Sequence, residues 1–279
     1  MKRSARQELA KETVEIVERG SYVSPHGCQI DLSGLVQACK SGTRHYTPAE
    51  LAQLLQSLHP FTPSDPPVAC EVVNETTLSG IFRLLASGAG PVAALNFASA
   101  KNPGGGFLNG SQAQEESLAR SSALYASLLQ AGNYYEQHRA SPSLLYTDAM
   151  IFSPTCPIFR DDGGTLLEVP QLVTFINSVA RNAGAIADNR PQELPQISDT
   201  LRQRAEYVLA LAASHGYQHL VLGAWGCGVF RNDPQLVASI FAELLRHPNW
   251  SRRFRRVLFS VLDHSPTQSI FRAFQKNLS

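Results

Sequence analysis

Short apolar runs alternate with amphipathic segments over most of the chain, and this alternation predicts strands and helices in turn. The runs predicted as strands are 68–74, 92–97, 145–152, 172–180, 220–222 and 256–262. The segments between them that are predicted as helices are 77–86, 115–130, 200–215 and 234–245. Strands separated by helices predict an α/β fold, with a mixed or parallel sheet between helical layers.

The first 59 residues have a different pattern. Residues 4–18 are predicted as a helix that stops at Gly20, and a second helix begins after Thr47 with Pro48 at its first position and runs to about residue 58. The stretch 60–67 then contains four prolines in eight residues. We therefore predict an N-terminal helical extension, 1–59, packed on a core domain, 60–279.

Composition and charge restrict the kind of ligand and the compartment. The 279 residues are 43% hydrophobic and carry a formal net charge of +1, so any anionic ligand must be held by local geometry. The five cysteines are odd in number and include no C-x-x-C pair, which predicts reduced thiols and no zinc framework. With no apolar leader and no run of about 18 apolar residues, the expected location is the cytoplasm, without a membrane partner.

Two glycine-rich loops follow predicted strands, at 102–107 (NPGGGF) and 223–230 (GAWGCGVF). Ligands of open α/β sheets bind beyond the carboxyl ends of strands, and glycine lets the backbone approach a phosphate closely. Neither loop has the P-loop or the dinucleotide-binding pattern. The loops predict a nucleotide-diphosphate ligand held between them, and the alternative is that they are only tight turns.

Glu115 and Glu116 follow the first loop, at the start of a predicted helix. A pair of acids at this position is often explained by the helix dipole alone. Cleavage of a glycosidic bond to ribose offers a second explanation, because it needs a proton on the leaving oxygen and an activated water. The helix dipole lowers the pKa of such an acid and desolvation raises it, and the sequence leaves open which effect is larger.

Residues 95–125 (LNFASAKNPGGGFLNGSQAQEESLARSSALY) resemble the signature of bacterial-type poly(ADP-ribose) glycohydrolases, a triple glycine followed after a short spacer by Gln-Glu-Glu. The resemblance extends over 71–78, 152–161, 222–233 and the final strand, which is nearly the whole chain. It implies a macrodomain-like core that binds the terminal ADP-ribose of a polymer.

The resemblance also implies roles for individual residues. Glu116 matches the catalytic acid, and Glu115 matches the residue that fixes the ribose bearing the scissile bond. Phe230 matches the aromatic residue that orders the terminal ribose. The other expected substrate contacts are Gln114, Gly104, Gly105, Gly106, Gly226, Cys227, Gly228 and Val229.

Two further contacts are assigned by position only. The resemblance implies an asparagine, ahead of the glycines, that holds ribose hydroxyls. Both Asn102 and Asn96 fit this description, and Asn102 is preferred because it is nearer to the glycines. Glu75 is the nearest match to the acid that binds the adenine amine. Residues 178–182 (SVARN) depart from the Pro-Ala-Pro-Asn-like segment that the family implies, so the contact made there is open.

The implied activity is cleavage of the ribose–ribose glycosidic bonds of ADP-ribose polymers without cofactor or metal, and we expect mainly exo-cleavage that releases ADP-ribose. The expected partner is the polymer, carried on ADP-ribosylated proteins as in the DNA damage response, with no sequence-specific binding of nucleic acid. Two alternatives stay open: a non-catalytic reader of ADP-ribose, and a hydrolase of mono-ADP-ribosylated substrates. The adjacent acids argue against the reader.

Overall fold

The computed structural model describes residues 1–58 and 66–278, so residues 60–65 of the proline-rich stretch lie outside the described residues. The strands are β1 (Ser21–Val23), β2 (Gln29–Asp31), β3 (Arg44–Tyr46), β4 (Ala69–Val73), β5 (Val92–Phe97), β6 (Met150–Arg160), β7 (Leu166–Ser178), β8 (His219–Leu222) and β9 (Arg256–Ser260). The helices are α1 (Arg3–Arg19), α2 (Ser33–Gly42), α3 (Pro48–Ser57), α4 (Thr77–Ala86), α5 (Gln114–Ser121), α6 (Leu124–Leu128), α7 (Gly132–Ala140), α8 (Ala183–Asn189), α9 (Ile197–Ser214), α10 (Pro234–Arg246) and α11 (Ser269–Leu278).

A seven-stranded sheet in the order β3-β6-β7-β5-β8-β9-β4 organises the molecule. The five strands from β7 to β4 are parallel, and β6 and β3 extend the sheet in antiparallel pairing at one edge. The predicted mixed α/β fold is therefore confirmed. The carboxyl ends of five neighbouring strands meet at one edge of the sheet, which is where a ligand is expected.

Both faces of the sheet are covered, and the apolar strands explain why. Along β5, Ala93 and Leu95 pack in a core with α9 and α10, whereas Val92 and Ala94 pack in a second core with α4 and α7. A parallel strand buried on both faces is apolar throughout, because successive side chains point to opposite layers. Asn96 is therefore unusual, since it is a fully buried polar residue at the end of this strand.

The N-terminal segment contains strands as well as the two predicted helices. α1 ends at Gly20, which has φ +73° as a left-handed cap, and α3 begins with a capping box formed by Thr47 and Glu50. Between them lie the β1–β2 hairpin, α2 and β3, which the sequence pattern did not predict. β3 pairs with β6 and so belongs to the main sheet.

Two predicted elements have different bounds. The helix predicted over 115–130 is broken at Ser122, whose extended backbone forms a bridge with Ile158 of β6. The strand predicted over 145–152 begins only at Met150 and runs on to Arg160, and a register shift between Ser153 and Cys156 accommodates the intervening Pro154. Among the described helices, none is both long and apolar enough to cross a membrane.

Candidate active site

A cavity of about 720 Å³ opens at the carboxyl edge of the parallel strands. Phe97 at the end of β5, Leu262 beyond β9 and Glu75 beyond β4 line it, together with the start of α5 and the loop after β8. Its size fits a small-molecule ligand. The second glycine-rich loop therefore lines the cavity, whereas the glycines of the first loop are not among the residues that line it.

The first glycine loop brings the backbone against the acid pair. Gly104 and Gly105 have φ values of +67° and +59°, which disfavour residues with a side chain. A Cβ atom on Gly105 would lie 2.4 Å from Oε1 of Glu116 and 3.2 Å from Oε2 of Glu115. Glycine is therefore required here for both conformation and space, and both carboxyl groups face the same point of the loop.

Glu115 is almost completely buried, and the protein contacts both of its carboxyl oxygens. Oε2 accepts a hydrogen bond of 2.7 Å from the backbone N–H of Ser99, and Oε1 accepts one of 3.3 Å from the Asn96 amide. Burial raises the pKa of Glu115 to about 8, although these hydrogen bonds oppose the rise, and the neighbouring Glu116 raises it further. At this position desolvation thus outweighs the hydrogen bonds that favour the charged carboxylate.

Glu116 is half-buried, and its carboxyl group is held by one oxygen only. Oε1 accepts a 3.0 Å hydrogen bond from the backbone N–H of Gly106. Within the described part of the chain, Oε2 of Glu116 accepts no hydrogen bond. That oxygen is therefore available to a ligand.

The second glycine loop packs on the end of β7. A Cβ atom on Gly226 would lie 2.4 Å from Cβ of Ala180 and 2.4 Å from Nδ2 of Asn232. The Asn232 amide donates to the carbonyls of Arg181 at 2.7 Å and of Gly226 at 3.0 Å, and the Trp225 indole donates to the carbonyl of Ser178. These contacts fix the loop to the segment 178–182.

The departure of 178–182 from the family pattern has a structural explanation. The Arg181 side chain does not line the cavity but donates to Asp148, which also accepts from Arg204. Arg204 is completely buried and donates to the carbonyl of Val179 as well. Two buried guanidinium groups on one carboxylate therefore anchor this segment from behind, while Ala180 lines the cavity.

The predicted site residues lie in different positions around the cavity. Those that line it directly are Glu75, Gln114, Gly226, Gly228, Val229 and Phe230. The acid pair adjoins it through its chain neighbours Gln114 and Ser117, and Gly105 in turn lies against the carboxyl groups of the pair. Gln114 is anchored, because its Oε1 accepts from the Phe97 N–H and its Nε2 donates to the Leu95 carbonyl.

Four of the predicted residues have environments that bear on their roles. Asn102 is exposed, whereas Asn96, the other candidate, is buried against Glu115. The Glu75 carboxylate accepts from Arg83 and from Ser260. Cys227 is buried, and burial raises the pKa of its thiol to about 12, which favours packing over nucleophilic chemistry.

Helix α1 contributes to the wall of the cavity, which sequence reasoning missed. Met1, Arg6 and Leu9 line it, and Nε of Arg6 donates to the carbonyl of Gly110 at 2.7 Å. Because these residues lie about 100 positions before the loop that they contact, no local pattern indicates the contact. Arg120 completes this side: it is buried and donates to the carbonyl of Ser111.

No cluster of three or more His, Cys, Asp or Glu side chains within the described residues is arranged to hold a metal ion. Of the Asp263-His264 pair beyond β9, Asp263 is an anchor that accepts from the backbone N–H groups of Ser265, Ile270 and Phe271, whereas His264 lines the cavity.

Comparison with protein families gives a match over residues 10–161 to the family model for the catalytic domain of microbial-type PARG. PARG stands for poly(ADP-ribose) glycohydrolase. These 152 residues are more than half of the 279. A comparison with curated proteins gives no match.

Solved structures give closer matches. Poly(ADP-ribose) glycohydrolase from Thermomonospora curvata is 47% identical, with a TM-score of 0.94 over 99% of this chain and 100% of that one. Its complex with the inhibitor ADP-HPD is 46% identical over 98% of this chain and 99% of that one, with a TM-score of 0.90. The enzyme from Deinococcus radiodurans in complex with ADP-ribose is 49% identical over 89% of this chain and 98% of that one, with a TM-score of 0.82.

Proposed function

This chain belongs to the family of microbial-type poly(ADP-ribose) glycohydrolases, and on that basis we propose that it hydrolyses the ribose–ribose glycosidic bonds of ADP-ribose polymers. The observation that carries the proposal is the adjacent pair Glu115 and Glu116, whose carboxyl groups meet at Gly105. This pair adjoins a cavity large enough for a nucleotide-diphosphate ligand. A non-catalytic reader would not need two acids at this point.

Glu116 is the proposed catalytic acid. Its Oε1 is held by Gly106, which leaves Oε2 to donate a proton to the leaving ribose oxygen as the glycosidic bond breaks. The resulting carboxylate then takes a proton from the water that adds to the anomeric carbon, so the acid is restored. Glu115, held on both oxygens, fixes the hydroxyl groups of the reacting ribose.

The remaining predicted residues supply binding. Gly104, Gly105 and Gly106 and the second loop, Gly226 to Val229, present backbone to the diphosphate. Phe230 orders the terminal ribose from the cavity wall. Glu75 lies at the far side of the cavity, where we place the adenine, and Asn96 replaces Asn102 as the asparagine that acts with Glu115. The complex of the Deinococcus radiodurans enzyme with ADP-ribose supports this assignment of the ligand.

The proposed mode is mainly exo-cleavage that releases ADP-ribose. Phe230 and the second glycine loop form one wall around the distal ribose, and Met1, Arg6 and Leu9 of the N-terminal segment form another. An internal unit carries a further nucleotide at that ribose, so these walls exclude it sterically. Long, end-labelled polymer distinguishes the modes, because early accumulation of medium-length oligomers instead of ADP-ribose would show endo-cleavage.

We place the activity in the cytoplasm, on polymers attached to ADP-ribosylated proteins, where it reverses the modification, including modification made in response to DNA damage. All five cysteines are free thiols, which fits a reducing compartment. No sequence-specific contact with nucleic acid is needed for this role.

The proposal is tested by incubating the protein with polymer and with mono-ADP-ribosylated protein, with and without excess chelator. Release of ADP-ribose from polymer in both conditions is expected, because the reacting groups are carboxyl groups. Binding without release would favour the reader, release only from mono-ADP-ribosylated protein would favour the other hydrolase, and loss of ADP-ribose binding with chelator would show a metal requirement.

A further inference from the structure

Two asparagines lie side by side inside the sheet, directly behind Glu115. Asn96 of β5 and Asn177 of β7 are register partners, and both are completely buried. Nδ2 of Asn96 donates to Oδ1 of Asn177 at 2.9 Å and to Oε1 of Glu115 at 3.3 Å. The Asn177 side chain does not contact the carboxyl group of Glu115, but it holds the amide that does.

The polar chain continues from Asn177 through the sheet towards the N-terminal segment. Nδ2 of Asn177 donates to Oγ of Ser153 at 2.9 Å and to the carbonyl of Ile151 at 2.8 Å. Ser153 accepts from Ser127 at 2.6 Å, and Oγ of Ser127 lies 2.7 Å from Oγ1 of Thr43. A continuous series of side-chain hydrogen bonds therefore joins Glu115 to the residue that precedes β3.

Such a chain needs an explanation, because the strands around it are apolar. Burial of an amide is costly unless its polar atoms are paired, and a fully apolar strand end would avoid that cost. Each link of this chain is paired, although Oδ1 of Asn96 has no hydrogen-bond partner among the described residues, and a buried network of this kind fixes its paired members in one arrangement. The Asn177 side chain pairs with four groups: the Asn96 amide, the Ser153 hydroxyl and the carbonyls of Ile151 and Phe175. Of these four, Asn96 is the one that leads towards the cavity.

We propose that Asn177 is a positioning residue for the reaction: it orients the Asn96 amide so that the N–H group faces Glu115 and holds that carboxyl group against the reacting ribose. The inference rests on the proposed function. Without Asn177 the Asn96 amide is free to rotate, and its oxygen then faces Glu115. The Glu115 carboxyl group then loses this hydrogen bond, and even about 1 Å of misplacement at an active site can cost on the order of 10²-fold in rate.

The test compares Asn177→Ala with Thr174→Ala. Thr174 is buried on the same strand, and its Oγ1 accepts from the Thr155 N–H and contacts Tyr217. Thr174→Ala therefore also removes buried hydrogen bonds from β7, but none that leads to the acid pair. We expect kcat on polymer to fall about 10-fold or more in Asn177→Ala and to stay at the wild-type value in Thr174→Ala, each assayed well below its Tm. Equal kcat values in the two variants would overturn the proposal.

A second readout does not need turnover. Because the Asn96 N–H lowers the pKa of Glu115, the carboxyl titration of Glu115, followed by carbon-13 NMR and assigned by its loss in Glu115→Gln, should move to higher pH in Asn177→Ala and not in Thr174→Ala. The ionisable groups that face Glu115 are Glu116, Tyr134 and Tyr135, and none of them is altered.

The outcomes distinguish a failure of the proposed function from a failure of the proposed role of Asn177. Wild-type protein that does not cleave polymer would contradict the proposed function, and the titration would still test Asn177. An unmoved titration would overturn the role of Asn177 whatever the activity. If Asn177→Ala does not fold, Ser153→Ala removes the next hydrogen-bonding group after Asn177. We then expect a lower kcat and a Glu115 titration at higher pH, with both changes smaller than those expected for Asn177→Ala.

Discussion

Glu115 and Glu116 are adjacent in the chain, but their surroundings differ, and the difference separates their roles. Glu115 is buried, held on both oxygens and has a pKa of about 8, whereas Glu116 is half-buried and held on one oxygen. Pairs of carboxyl groups in different environments commonly divide acid chemistry and electrostatic work between them. The residue with a free oxygen beside the cavity is the one that can reach a leaving group.

Replacing the catalytic acid should abolish turnover and spare binding. Glu116→Gln keeps the size of the side chain and can still accept from the Gly106 N–H, but it cannot supply a proton. We expect the rate on polymer to fall by about 10² to 10⁴ or more, since general acid–base catalysis contributes that much. Stopped assays measure the rate on polymer, and calorimetry measures the affinity for ADP-ribose. The control is Glu8→Gln, at an exposed residue, which should change neither. Near wild-type cleavage by Glu116→Gln would remove this residue from the mechanism.

The raised pKa of Glu115 should lower the free energy of unfolding at neutral and alkaline pH. Its pKa rises from the ordinary value of 4.5 to about 8 on folding, so between these values the folded protein holds a proton that the unfolded chain has lost. The contribution of Glu115 to stability therefore falls as pH rises from 4.5 to 8 and is constant above.

The corresponding prediction concerns Glu115→Gln, which removes this ionisation. Relative to wild type, the variant should gain free energy of unfolding as pH rises from 5 to 8.5, by on the order of a few kcal/mol. Urea denaturation at the two pH values measures the gain, and Glu8→Gln should show none. A difference from wild type that is equal at both pH values would contradict the raised pKa.

The end of β7 is the element on which the second glycine loop depends. Arg204 on α9 donates to the Val179 carbonyl, and Asp148 joins Arg204 to Arg181. The Arg181 carbonyl in turn accepts from Asn232, which also holds Gly226. The position of this loop is therefore set by buried charges on the far side of the strand.

Asp148→Asn should loosen this arrangement, because it leaves two buried guanidinium groups without their carboxylate. Removing one partner of a buried ion pair costs about 3–5 kcal/mol, and the cost here is smaller because the Asp148 side chain is 26% exposed. We expect a lower free energy of unfolding and weaker ADP-ribose binding, measured by urea denaturation and calorimetry. Glu243→Gln, which removes an exposed ion pair with Arg202, should change neither by more than about 1 kcal/mol. Unchanged affinity in Asp148→Asn would separate these charges from the loop.

At the scale of elements, the sequence predicted what local patterns determine. The helix predicted over 77–86 and the apolar strand predicted over 92–97 have the bounds of α4 and β5 in the structure. The break at Ser122 was missed because it comes from pairing with Ile158, a residue 36 positions later. β3 was missed for the same reason: three residues become a strand only through β6. The glycines and acids of the site were predictable as motifs, but Asn177 was not, because its partners outside β7 lie on two other strands, β5 and β6.

Over the whole molecule, the N-terminal segment is joined to the core at several places. β3 pairs with β6, Thr13 of α1 donates to the carbonyl of Arg120, and Glu12 pairs with the buried Arg160. The division into 1–59 and 60–279 stays a prediction about sequence units. These contacts lead to a prediction about how the two parts unfold.

The whole chain should unfold in one cooperative transition, although it is predicted to have two sequence units. If the first 58 residues are removed, β6 becomes an exposed edge strand, Arg160 loses the carboxylate that neutralises its buried charge, and the cavity loses the wall formed by Arg6 and Leu9. We therefore expect residues 59–279 alone to be insoluble or unfolded, and calorimetry of the full chain to show a calorimetric enthalpy equal to the van't Hoff enthalpy. A variant with Glu12→Gln tests one contact alone and should lower Tm within the same single transition. Two separate transitions, or a soluble core fragment that binds ADP-ribose with the affinity of the full chain, would show that the N-terminal segment is an independent addition to the site.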